Sequence, residues 1–554
     1  MTLVEEIKRI IKGDVSEGLE ERMLAATDAS IFEVEPELVV APHSVEDIKN
    51  LVSFISARKS QYPSLSLTAR AAGTDMTGGP LTQSIVVDFK RYLSGVKNLD
   101  VEKREVRVLP GTFYRDMASM LAEHKLLLPS YPASKNLCTV GGMVANNSGG
   151  EKTLTYGKTN RYVAELKAVF SNGEEYTLHP MSGSALETFF SRNDFQARVY
   201  RKLFELIKNN QELLVRSKPR VSKNSAGYAL WDVWDGKTFD PTQLIVGSQG
   251  TLALITEITF KLVIPKEHSA LLVIFLHDFQ KLAEVVKTIL AHKPESFESY
   301  DDHTMKLAVR FMPDMLKTLG AKNLISLGLK FWPEIKMIML GGVPKLILVA
   351  EFTGDSEEEI YKKAQGAETD LLAHELQTHV YKKDVHIARN DAEEDKYWTI
   401  RRESFNLLRK HVRGKHTAPF IDDVVVEPAC LVEFLPELSA ITNAYDLTYT
   451  IAGHVGDGNF HIIPLMDFNR PDFKKIISEL SQKVYDLVAK YGGSITGEHN
   501  DGIIRTPYLE KMYGKEVTEL FRQTKEIFDP QNIFNPGKKV NGSWAYALSH
   551  IRHY

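Results

Sequence analysis

RAAGTDMTGGP, from Arg70 to Pro80, and TVGGMVANNSGGEKTLTYGKTN, from Thr139 to Asn160, are the stretches whose reading decides the fold. The first follows SLSLTA, a run that predicts a strand. Gly73, Gly78 and Gly79 let the backbone turn sharply and present N–H groups to a pyrophosphate, and Thr74 and Thr77 add hydroxyl donors. The second stretch is rich in small residues, so a flat ring system could lie against its backbone. Neither is a GxGxxG turn after a first strand, which argues against a Rossmann domain. The competing reading is turn glycines in an all-β region.

Working outward, residues 1–60 read as helical with a strand at Val39-Val40. Runs such as Ser84 to Asp88 and Val106 to Leu109 predict short strands between glycine clusters. Residues 244–263 read as strand–turn–strand near a domain end. From 266 the rhythm changes. ALLVIFL and KLILVAEFTG alternate with DFQKLAEVVKTILAHK and DSEEEIYKKAQGAETDLLAHEL, which predicts a sheet covered by helices. The expected division is a dinucleotide-binding domain over 1–265, a substrate or cap domain over 266–504 and a C-terminal segment, 505–554, returning to the first. The fold class is α+β, with an antiparallel sheet in the cap domain.

Composition removes other classes. Among 554 residues, 43% are hydrophobic and 25% charged, which excludes a disordered or collagen-like chain. Lys+Arg 68 against Asp+Glu 72 leaves −4, so no nucleic-acid partner is indicated. Two cysteines, Cys138 and Cys430, exclude a disulfide framework and a cluster held by four thiolates. Charges interrupt every apolar run before a membrane-spanning length, and the start is an amphipathic helix without signal-peptide character. A soluble cytoplasmic protein is expected, with possible attachment to the inner face of the membrane.

The segment IAGHVGDGNFHIIPL, from Ile451 to Leu465, carries the metal chemistry. Asp457-Gly458 is a two-residue hairpin signal between extended runs. With those two as the loop, His454 lies directly opposite His461, with Cβ atoms about 4.5–5.5 Å apart. Two such imidazoles can reach one divalent ion. Glu498, in SITGEHNDGIIR, is the candidate third ligand, and an extended backbone would turn His499 away to another role. Two His and one carboxylate leave coordination positions open, as a catalytic site requires. Zn2+ is the first choice, with Mn2+ or Fe2+ also open.

These motifs resemble a known family. Arg70-x-x-Gly73-Thr74 with Gly78-Gly79, Pro132-x-Ser134, Gly141-Gly142, Asn146-Asn147-x-Gly149-Gly150, Tyr156-Gly157, the Gly250-Thr251 pair and Asn535-Pro536-Gly537-Lys538 are similar to the vanillyl-alcohol-oxidase-type FAD domain. The resemblance implies two subdomains clasping FAD, with the pyrophosphate on the 70–79 loop. No His stands in that loop, so the flavin is expected to be non-covalent. Gln249 departs from the Glu common in relatives. Gly453-His454-x-Gly456-Asp457-Gly458-Asn459-x-His461 and Gly497-Glu498-His499-x-x-Gly502 resemble the FAD-linked D-2-hydroxyacid dehydrogenases, a group that includes D-lactate and D-2-hydroxyglutarate dehydrogenases and the FAD subunit of glycolate oxidase. Alkyl-glycerone-phosphate synthases share the fold but carry a contiguous histidine run, which this hairpin lacks.

The family implies oxidation of a D-2-hydroxy acid (D-lactate-like, glycolate or 2-hydroxyglutarate) to the 2-oxo acid, with the hydride passing to the flavin. His454, His461 and Glu498 would hold the metal, His499 would act as general base, and Arg401, in Trp398 to Glu403, would bind the substrate carboxylate. Some relatives carry a Lys near the next strand; here that stretch is PFIDDVVVEP, with Ile421 and Asp422, which weakens the case for a second acidic substrate arm and so for 2-hydroxyglutarate. Electrons would leave to a separate acceptor: a quinone, a cytochrome or an iron–sulfur subunit. Direct use of O2 and a purely electron-relaying flavin subunit are the alternatives. Residues 303–345 mix apolar and basic side chains and read as an inserted lid or a peripheral membrane contact. The oligomeric state stays open.

Overall fold

The computed structural model describes residues 2–302, 304, 344–373, 384–388, 390, 393–401 and 414–553. Its first unit is a four-stranded sheet, ordered β1-β2-β4-β3, built from β1 (Asp14–Ser16), β2 (Leu38–Ala41), β3 (Leu67–Arg70) and β4 (Ile85–Asp88). The helix Val45–Arg58 starts at Ser44, whose hydroxyl accepts from the Asp47 N–H. It buries Ile48, Leu51, Val52 and Ile55 against Leu67, Ile85 and Val87. The buried Asp47 carboxylate accepts the N–H groups of Lys12, Gly13 and His43 and so ties the N-terminal turn to this helix.

A second sheet, antiparallel and ordered β5-β6-β11-β7-β8, stands beside the first. It comprises β5 (Val96–Asp100), β6 (Glu105–Val108), β7 (Val163–Val169), β8 (Glu175–Leu178) and, after the short pair β9 (Met181–Ser182) and β10 (Thr238–Phe239), the central β11 (Leu254–Lys261). The expected strand–turn–strand over 244–263 is half right. β11 is a strand, but Leu244 and Ile245 lie in a helical turn, Thr242–Ile245. The Asp240 carboxylate accepts the Thr242 N–H and hydroxyl, and this local capping outweighs the β propensity of a short apolar run.

The third unit is an antiparallel sheet ordered β15-β12-β14-β13-β18-β19-β16. Its strands are β12 (His268–Leu276), β13 (Ser296–Asp301), β14 (Leu346–Gly354), β15 (Val385–Ile387), β16 (His416–Thr417), β17 (Val424–Val425), β18 (Thr448–His454) and β19 (Asn459–Met466), with β17 paired to β19 off the main path. Helices Leu282–Ala291, Glu357–Leu371, Leu431–Asn443 and Phe473–Lys490 pack on it through a continuous apolar core. Of the 303–345 segment, only residues 304, 344 and 345 lie within the described residues. No described helix is long and apolar enough to cross a membrane.

The C-terminal stretch reaches back to the first sheet. Leu67 N–H donates to Ile533 O and Asn535 N–H to Leu67 O, so Phe534 lies parallel to β3. The Asn535 amide donates to Gly79 O at 3.0 Å and Gln249 O at 2.7 Å, joining three segments that are far apart in sequence.

Candidate active site

The site is built on the β18–β19 hairpin. Its connection is not the expected two-residue turn. Val455–Asp457 form a 3-10 turn closed by Gly458 in the left-handed region, so His454 pairs with Asn459 and His461 with Ala452. Strand β17 fixes this register: Val426 N–H donates to Gly458 O, and a Cβ on Gly458 would fall 1.8 Å from Val426 O. The register differs from the expected one by an even number of residues, so both histidines still share a face. Their ring centroids lie 5.3 Å apart at 86°.

Glu498 faces both. Its Oε1 is 3.2 Å from His454 Nε2 and 3.4 Å from His461 Nε2, and its Oε2 is 3.2 Å from Lys223 Nζ. His499 does not turn away, because the backbone here is not extended. The Asp423 carboxylate collects the N–H groups of Glu498 and His499 and the Thr496 hydroxyl, at 2.9, 2.7 and 2.6 Å, and bends the loop around itself. The His499 ring therefore lies nearly parallel to that of His461, with centroids 5.0 Å apart.

The outer nitrogens are held by carboxylates. His454 Nδ1 is 2.6 Å from Glu298 Oε1, and Glu298 Oε2 is 3.1 Å from Arg401 Nη2. His461 Nδ1 is 3.1 Å and His499 Nδ1 2.9 Å from Asp422. Burial opposes ionisation of Glu498, but Lys223 and the two histidines outweigh it and hold the carboxyl well below its usual range. Burial likewise opposes protonation of His461. The Asp422 and Glu498 carboxylates prevail and push it up to about 10. Two ligand-spaced trios result, His454–His461–Glu498 and Asp422–His461–His499. The first, two imidazole nitrogens and a carboxylate oxygen around one point, fits a zinc-like ion.

The flavin candidates converge from three segments. Asn146, in the helix Val140–Asn146 that also carries Gly141 and Gly142, donates to Asp75 Oδ1 at 2.8 Å, and Gln249 donates to Asn146 Oδ1. Gly73, Gly78, Gly157 and Gly250 have positive φ. Gly78 and Gly79 give their N–H groups to Asp28 and Asp75, not to open space. The N–H groups of Gly73 and Thr74 meet no acceptor among the described residues, which fits an anion such as a pyrophosphate there. Arg70 donates to the carbonyls of Leu24, Ala25 and Thr27 and so braces the loop from behind. The backbone carbonyls of Pro132 and Ser134 accept local turn bonds, and the Thr251 hydroxyl meets that of Tyr228 at 2.7 Å. The Tyr156 hydroxyl donates to Glu295, the residue before β13. A Cβ on Gly149 would stand 3.0 Å from Glu498 Oε2, so the glycine segment abuts the metal-ligand trio.

Sequence reasoning missed Glu298, Asp423 and Lys223 and gave Asp422 no role beyond the missing Lys. The signal available was charge inside apolar strands, in SFESYD and FIDDVVV.

Two family models match this architecture. The FAD binding domain covers residues 36–179, and the FAD linked oxidases, C-terminal domain, covers 265–539. The chain belongs to the FAD-linked oxidases that join these two domains. It is 28% identical to D-2-hydroxyglutarate dehydrogenase of Pseudomonas putida over 95% of its own length and 50% of that protein's. It thus spans about half the length of that relative. It is 26% identical to glycolate oxidase subunit GlcD of Bacillus subtilis, covering 93% of this chain and 92% of the relative. It is 25% identical to D-lactate dehydrogenase of Archaeoglobus fulgidus, covering 98% and 99%. Among solved structures, substrate-bound p-cresol methylhydroxylase superposes with a TM-score of 0.67 at 15% identity over 97% of this chain and 96% of that one. An alkyldihydroxyacetonephosphate synthase superposes at 0.64 and 16% over 96% and 85%. Both likenesses concern the fold alone.

Proposed function

We propose that the protein oxidises a D-2-hydroxy acid to the 2-oxo acid, using non-covalent FAD and one divalent ion, Zn2+ before Mn2+ or Fe2+. The observation that carries this reading is the meeting of His454 Nε2, His461 Nε2 and Glu498 Oε1 against Gly149 of the glycine segment. When bound, FAD supplies the hydride acceptor, and the metal lowers the pKa of the substrate hydroxyl.

The protein's own groups do the rest. Arg401 holds the substrate carboxylate. Its planar guanidinium suits a carboxylate, and the contact with Glu298 keeps it oriented. His499 takes the hydroxyl proton on Nε2, its Nδ1 being engaged by Asp422. Lys223 balances the Glu498 charge, so the trio presents a moderated negative field to a cation. The names of the relatives support a small hydroxy acid as substrate. Electrons then pass to a quinone, a cytochrome or a separate iron–sulfur protein.

The test is anaerobic bleaching of the yellow protein by a panel of D- and L-2-hydroxy acids. Bleaching by a D-acid, lost after treatment with EDTA and regained with Zn2+ or Mn2+, is expected. A protein that takes up no FAD, or one bleached equally well after EDTA, contradicts the reading. Admitting air to the bleached sample separates a dehydrogenase from an oxygen-using oxidase by the speed at which the colour returns.

A further inference from the structure

We infer that Asp422 is a positioning residue whose single carboxylate holds the metal-ligand candidate and the base candidate in register, gripping His461 with Oδ1 and His499 with Oδ2. The inference rests on the proposed function for the roles of the two rings, but the clamp itself is geometric. Both contacts fall on Nδ1: His461 is hydrogen-bonded to Oδ1 at 3.1 Å, whereas His499 Nδ1 lies 2.9 Å from Oδ2 as a buried ion-pair contact outside hydrogen-bond alignment, a contact that closes once the His499 ring turns its Nδ1–H to Oδ2. A ring whose Nδ1–H points at a carboxylate offers Nε2 to the other side. His461 Nε2 accordingly faces Glu498 Oε1, and the nearly parallel stack of the two rings keeps His499 in step with it.

Asp422 is itself immobilised. Its side chain is closed to solvent, and its backbone carbonyl accepts from the buried Arg505 guanidinium at 2.5 Å. Phe420 O, two residues earlier, accepts from the Tyr485 hydroxyl. Asp423, the next residue, holds the loop that carries His499 through its backbone N–H. One short segment thus fixes the loop by one carboxylate and aims the rings by the other.

The same trio could instead ligate a second ion. A ring nitrogen cannot both donate to Asp422 and bind a metal, and the aligned hydrogen bond to His461 favours the clamp. Asp422→Asn separates the two cases. An amide offers one acceptor and one donor, so only one ring keeps its bond. The other ring must turn Nδ1 into an acceptor and place its proton on Nε2, where it can neither ligate a metal nor receive a proton.

The experiment compares full-length wild type with Asp422→Asn, both loaded with FAD. Metal affinity is read by chelator competition, kcat and KM from bleaching at saturating Zn2+, and the Nδ1–H protons by NMR on 15N-histidine-labelled protein. Expected for the variant are about 10–100-fold weaker metal binding and a similar fall in kcat, with KM within threefold. One of the two downfield Nδ1–H signals of wild type should also be lost. Metal affinity and kcat within twofold of wild type would overturn the clamp. So would two metal equivalents per wild-type chain. If the variant does not fold, wild type alone decides, since absence of an Nδ1–H proton on either ring rejects the inference. Two Nδ1–H signals in a wild type that neither binds metal nor bleaches would support the clamp while removing the proposed function.

Discussion

Lys223 Nζ lies 3.2 Å from Glu498 Oε2, the oxygen left over when the two hairpin histidines have met Oε1. The lysine is fully buried and the carboxylate nearly so. Lys223 also approaches Asp457 at 3.5 Å. A buried amine between two carboxylates of the hairpin and the 494–505 loop balances charge that a metal would otherwise have to meet alone.

Lys223→Met should therefore do two opposite things. Without metal it leaves buried carboxylates uncompensated, which costs about 3–5 kcal/mol. With Zn2+ added, the more negative site should bind the ion more tightly and recover more stability than wild type does. Urea denaturation with and without Zn2+ measures both. An equal Zn2+-induced shift in the two proteins would show that Glu498 does not face the ion.

His461→Ala should stay yellow and stop bleaching. The ring lies on β19, and its contacts run to Asp422, Glu498, His454 and His499 and not to the glycine residues themselves, so FAD content should hold while bound metal falls towards zero. Metal analysis and the flavin spectrum of one preparation read both. Full bleaching activity in this variant would remove the metal from the mechanism.

Asp28 gives a pH dependence near the flavin loop. Burial and the neighbouring Asp75 push its carboxyl up to about 7, against the hydrogen bonds from Ser30. For an acid raised in the fold, the folded state binds the extra proton. The resulting stability is complete below the unfolded value of 3.8 and is lost as pH rises to about 7. Above pH 7, two carboxylates stand beside the loop that would hold a pyrophosphate. Denaturation midpoints of the FAD-free protein at pH 5 and 8 should fall more in wild type than in Asp28→Asn. FAD binding, read by quenching of flavin fluorescence, should weaken several-fold from pH 6 to 8 only in wild type. Parallel pH profiles in the two proteins would contradict the assignment.

The fold was legible where local chemistry and global packing agree. The glycine loops, the long runs of β12 and β14 and the amphipathic helices between them each have one way to bury their apolar surface. The hairpin turn was misread because Asp457-Gly458 satisfies two loop lengths locally, and only the pairing of β17 with β19, some thirty residues earlier in the chain, selects the longer one. The shared face of His454 and His461 survived that error because a strand has period two. Glu298, Asp422 and Asp423 were not legible as site residues. Each acts from another strand or loop, and their partners are set by tertiary contact. His499 was misdirected for the same reason: its backbone follows Asp423 and not a strand.

Arg401 is the candidate anchor for the substrate carboxylate. The fork that would bind a substrate carboxylate already gives one nitrogen to Glu298, whose other oxygen holds His454. Arg401 is thus tied through one carboxylate to the metal-ligand candidate, and losing it should cost substrate binding first. Arg401→Lys keeps the charge but not the planar geometry. A charged hydrogen bond is worth about 1.5–3 kcal/mol, so KM should rise by roughly ten- to a hundredfold with a smaller change in kcat. A structural role through Glu298 would lower kcat and metal affinity and leave KM alone. The methyl ester of the bleaching acid distinguishes these outcomes. Wild type should strongly prefer the free acid, whereas Arg401→Ala should treat acid and ester nearly alike. A variant that keeps the full preference for the acid would show that the carboxylate is bound elsewhere.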